Sequence, residues 1–101
     1  MEEQRLEEIK TILKQFPDLA KYQIFIFGSR AMGNPKKYSD FDIGIEGNAK
    51  VPAMLLADLE DAFEKSDLPY TVDLVDFSYV DQDFKSVAKS RIIPLKLNFT
   101  K

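Results

Sequence analysis

A chain of 101 residues with 45% apolar and 31% charged side chains has the balance of one globular domain, residues 1–101, with no room for a second. It holds no cysteine and no histidine. That excludes disulfides, thiolate or common zinc sites and imidazole-based triads, and it leaves oxygen ligands as the only way to hold a metal, which favours hard cations such as magnesium or manganese.

A formal charge of −3 and a sequence pI of about 4.9 argue against a broad face for duplex nucleic acid. No apolar run reaches the roughly 18 residues that span a bilayer. The acidic, amphipathic N-terminus MEEQRLEEIK is unlike a signal or transit peptide, so a cytoplasmic location is expected.

Leu6, Ile9, Ile12, Leu13 and Phe16 recur at helical spacing until Pro17 ends the pattern. Ile24 to Phe27 is a short continuous apolar run and predicts a buried strand. It stops at Gly28-Ser29, where a turn and a short helix should begin. Gly33 to Ser39 (GNPKKYS) reads as a loop, and Asp40 to Glu46 (DFDIGIE) alternates with the period of a strand.

Pro52 suits the first turn of a helix striped by Leu55, Leu59, Ala62 and Phe63, and Ser66 to Pro69 breaks it. Tyr70 to Asp76 (YTVDLVD) predicts another strand. Ser78 is a candidate cap for a last helix whose buried face would be Val80, Phe84, Val87 and Ala88. Ile92 to Phe99, interrupted by Pro94, fits an edge strand or a docking tail. The order predicts an α/β or α+β fold, a small mixed sheet with helices packed on it.

The stretch from Phe27 to Asp42 carries the chemistry. Alternation puts Asp40 and Asp42 on one side of their strand and Phe41, Ile43 and Ile45 on the core side. Two carboxylates roughly 7 Å apart along a strand repel each other unless a cation lies between them. Gly44, next on that face, is expected to leave open space. If the second strand neighbours the first, Asp73 completes a cluster of three acids able to hold two divalent ions, while Asp76 falls on the opposite face. Gly28 allows close backbone approach, and the amides and the Ser29 hydroxyl after it form an anion site. Arg30, Lys36 and Lys37 place positive charge beside that loop.

Gly28-Ser29-Arg30-Ala31-Met32-Gly33, ten residues from Arg30 to Ser39, and then Asp40-Phe41-Asp42 resemble the signature of the minimal nucleotidyltransferases of the DNA polymerase β superfamily. The resemblance extends through Leu68 to Asp76, although relatives often carry arginine where this chain has Met32. It implies that Gly28 and Ser29, with Arg30, hold a nucleoside triphosphate. Asp40, Asp42 and Asp73 then bind two Mg²⁺ ions, or Mn²⁺, and carry the catalysis. It implies further that the chain, as an antitoxin, moves AMP from ATP to a hydroxyl, tyrosine by preference, of a helical HEPN-type toxin encoded nearby. The alternatives are a catalytically silent subunit that neutralises the same partner by contact, and transfer to a small molecule.

Overall fold

The computed structural model describes residues 2–28, 41–68, 71–78, 80–88 and 92–97. Along them run α1 (Glu2–Leu13), a 3₁₀ turn (Pro17–Lys21), β1 (Gln23–Phe27), β2 (Phe41–Glu46), α2 (Ala53–Glu64), β3 (Val72–Asp76), α3 (Gln82–Ala88) and β4 (Ile93–Pro94). The strands form one mixed sheet in the order β3-β2-β1-β4. β1 pairs antiparallel with β2 and with β4, whereas β2 and β3 are parallel. A parallel pair needs a crossover, and α2 supplies it.

Alternation along the strands gives the sheet two unlike faces. Ile24, Ile26, Phe41, Ile43 and Ile45 share a core with Ile9 and Leu13 of α1 and Leu59 and Phe63 of α2. Fully burying each such side chain contributes roughly 1.5–3 kcal/mol, so this face is what holds α1 and α2 in place. The second face carries a smaller aromatic cluster of Phe25, Phe27 and Phe77. Phe77 meets each of the other two edge-on with ring centroids 5.0 Å apart, an arrangement that π quadrupoles favour.

Three expectations change here. The sequence pattern contains no sign of the 3₁₀ turn, yet it buries Leu19 to 1% exposure and carries the chain from α1 to β1. α3 begins later than predicted and is not capped by Ser78. Its cap is Asp81, whose Oδ1 accepts the Phe84 N–H at 2.7 Å, while the Ser78 hydroxyl accepts the Gly47 N–H at 3.1 Å. Of the predicted buried face, Val80 packs against the aromatic cluster, whereas Phe84 is 45% and Val87 74% exposed, and the Ala88 side chain is not among those described. The reason lies in Phe77, which directly follows β3 and already fills the aromatic cluster. Phe84 reaches only the flank of that ring, at 5.7 Å, and α3 is tied down instead by a half-buried ion pair from Lys85 Nζ to Glu46 Oε2 at 3.0 Å.

Of the edge strand expected over Ile92 to Phe99, Ile93–Pro94 form β4, and Asn98 and Phe99 lie outside the described residues. β4 pairs Ile93 with Ile26 and Pro94 with Phe25, and the Leu95 N–H donates to the Ile24 carbonyl at 2.8 Å. Proline is tolerated there because an outer strand need not donate on both sides.

Candidate active site

Parallel pairing puts Asp42 of β2 directly beside Asp73 of β3, in the same register as Phe41–Val72 and Ile43–Leu74. Partners in register share a face, so both carboxylates leave the sheet on the side away from α1 and α2. Their Cα atoms stand roughly one strand spacing, 4.8 Å, apart. Phe41, Ile43 and Ile45 are each 0% exposed on the opposite side, as the alternation of the sequence requires. Asp42 is half-buried and Asp73 is exposed. The site is therefore an acid pair at one end of the sheet, with one member packed and the other open to an incoming molecule.

β1 delivers Gly28 to this pair. Phe27 is the register partner of Asp42 across the antiparallel β1–β2 ladder, so the next residue turns beneath the Asp42 side chain. Gly28 has φ +81°, a conformation that costs other residues energy and glycine very little. The register sets Asp42 beside Asp73, and Gly28 lies against Asp42. Asp40, Ser29, Arg30, Lys36, Lys37 and the short helix expected after Ser29 lie outside the described residues. Among the described residues no cluster of three or more acidic side chains is grouped as a metal site, and the pair Asp42–Asp73 is what the register brings together.

The open space expected beside Gly44 is not there. A Cβ added to Gly44 would meet the Phe25 ring at 2.6 Å and the Phe77 ring at 2.9 Å, so the missing side chain makes room for aromatic packing and not for a ligand. Gly44 separates the acid pair from the covered end of the same face, where Glu46 is engaged by Lys85.

Asp76 lies on the opposite face from Asp73, as predicted, and has a different task. Its Oδ2 accepts the Val51 N–H at 2.8 Å and its Oδ1 accepts the Ser78 N–H at 2.9 Å. One carboxylate thereby joins the segment before α2 to the end of β3. Sequence alternation separates Asp76 from the site but says nothing of these two amides, which come from loops. A groove of about 460 Å³ opens beside α2 and the start of β3, lined by Glu60, Phe63, Glu64, Leu68, Thr71 and Val72. It holds neither member of the acid pair.

A family model described as nucleotidyltransferase domain matches residues 6–95. Over 87 residues the chain is 39% identical to the probable protein adenylyltransferase MntA of Haemophilus influenzae, a match that covers 85% of this chain and 74% of that protein. The fold also resembles a crystal structure of a toxin–antitoxin with AMP-PNP, with a TM-score of 0.67 at 23% identity over 88% of this chain and 72% of that one. A third similarity is to a complex of tri-AMPylated Shewanella oneidensis HEPN toxin with MNT antitoxin. There the TM-score is 0.61 at 22% identity, over 92% of this chain and 73% of that one. Structural likeness at such identities establishes the fold. Among the described residues, no helix is long and apolar enough to cross a membrane.

Proposed function

The chain belongs to the nucleotidyltransferase domain family, and from that premise we propose that it transfers AMP from ATP to a side-chain hydroxyl of a HEPN-type toxin, acting as the antitoxin. The observation that carries this reading is the register of Asp42 against Asp73, with Gly28 lying against Asp42. The Haemophilus influenzae relative, a probable protein adenylyltransferase, supports the adenylyl group, and the AMPylated toxin in the structural relative supports a protein acceptor.

The donor chemistry of the pair fits a hard divalent cation, since both groups are carboxylates and the chain has neither thiol nor imidazole to compete. Asp42 and Asp73 would hold Mg²⁺ or Mn²⁺ together with Asp40, two residues before Asp42. When bound, the metal neutralises charge on the phosphate oxygens as the transfer proceeds.

The remaining steps belong to the chain's own residues. The positive φ of Gly28 suits a close backbone approach, and Gly28, Ser29 and Arg30 would bind the triphosphate. Asp73 stands on the exposed side, from which the acceptor arrives, and takes the hydroxyl proton. The hydroxyl oxygen bonds to the α-phosphorus, the bond from that phosphorus to the bridging oxygen breaks, and pyrophosphate leaves. Tyrosine is the proposed acceptor within this reading. Transfer of label from α-³²P-ATP to a co-purified HEPN-type partner, present with Mg²⁺ and lost in Asp42→Asn, tests it. An unlabelled partner that is nonetheless silenced by the chain would replace it with neutralisation by contact.

A further inference from the structure

Gly28 has a property that its backbone angle does not explain. A Cβ built on it would fall inside contact distance of Asp42 Oδ2, and would lie 3.2 Å from Asp42 Cγ and 3.5 Å from Asp42 Cβ. One α-hydrogen of Gly28 is therefore the surface against which the Asp42 carboxylate rests. The β1–β2 register accounts for the closeness, because Phe27 pairs with Asp42 and the chain turns at the next residue.

We propose that Gly28 is a positioning residue for the Asp42 carboxylate, setting the direction in which it faces a divalent cation, independently of any contact with nucleotide. This rests on the reading of Asp42 as a cation ligand. The atom that an added methyl would strike is the end of a rotatable side chain, so the carboxylate swings aside while β1 and β2 keep their pairing. Such a swing matters because a working constellation must be held within about 0.5 Å of its productive geometry.

The handedness of the clash makes the proposal separable from a general dislike of side chains at this position. An L-alanine methyl replaces the α-hydrogen that faces Asp42. A D-alanine methyl replaces the other one, and a D-residue is at ease at φ +81°.

The test compares the full-length chain with Gly28→Ala, Gly28→D-Ala made by chemical synthesis, and Asp42→Asn. Binding of Mn²⁺ alone, without nucleotide, is read from the loss of the free-ion signal in electron paramagnetic resonance, and circular dichroism checks the fold. Gly28→Ala should weaken Mn²⁺ binding about 10- to 100-fold, the range seen when a group that orients a ligand is lost. Gly28→D-Ala should bind as the parent does. Equal Mn²⁺ binding by the parent and Gly28→Ala would overturn the proposal, as would equal losses in the two alanine variants. If the parent binds no better than Asp42→Asn, the ligand reading of Asp42 fails instead. Should Gly28→Ala lower the melting temperature, part of that loss must be recovered in an Asp42→Ala background, where the struck atoms are gone. No recovery there would also overturn it.

Discussion

Asp42 and Asp73 face the same way from adjacent parallel strands, in register, although thirty residues of sequence separate them. Hydrophobic partners on the other side of each strand, Phe41 with Val72 and Ile43 with Leu74, already specify the register. Like charges side by side oppose folding, so the core behind the pair is what holds it together.

That relationship sets the first expectation. Asp42→Asn keeps the shape and removes one of the repelling charges. The melting temperature should stay the same or rise slightly, while adenylyl transfer falls below detection. Differential scanning calorimetry beside a transfer assay checks both parts, and near-normal transfer by Asp42→Asn would refute its assignment as a metal ligand.

Asp73→Ala should separate binding from chemistry. Asp73 is exposed, so its loss should change stability by no more than about 0.5 kcal/mol. Transfer should drop by about 10²- to 10³-fold or more, as when charge-stabilising groups are removed from other active sites. ATP affinity, measured by calorimetry, should change much less. A loss confined to ATP affinity would place Asp73 outside the proton-transfer step.

Asp76→Ala should show the reverse ranking. Two amide groups, those of Val51 and Ser78, lose their acceptor, and each group so stranded costs about 1–3 kcal/mol where water does not reach it. Val51 is buried and Ser78 half-buried, so a total of about 2–4 kcal/mol is expected, a fall of roughly 10 °C or more in melting temperature for a domain of this size. The folded fraction should transfer at close to the parental rate. If Asp76→Ala rather than Asp73→Ala abolished transfer at full stability, the wrong acid of β3 would have been chosen.

The parts of this architecture written into the sequence are those governed by a repeating period. Ile24 to Phe27, the alternation from Phe41 to Ile45, and Leu59 with Phe63 lie where hydrophobic spacing puts them, and the face shared by Asp42 and Asp73 follows from the same period of two. What the sequence did not disclose depends on contacts between segments far apart in it. Gly44 looked like space for a ligand because the rings of Phe25 and Phe77 come from elsewhere in the chain. Phe84 and Val87 looked buried because helical spacing does not reveal that Phe77 has already taken the inner position. Asp81 and Ser78 both carry capping oxygens, and only the loop geometry assigned the helix to Asp81. The seat of Asp42 on Gly28 belongs to the same class, since it requires the β1–β2 register to be known.

The central claim is that the hydroxyl of a protein partner receives the AMP. Intact-mass spectrometry of the purified chain and its HEPN-type partner, incubated together with ATP and Mg²⁺, tests it most directly. The account predicts that the partner gains the mass of AMP less one water, once or in whole multiples. This chain should remain unchanged, and no gain should occur with Asp42→Asn. A partner of unaltered mass whose toxicity is nevertheless blocked would contradict the account.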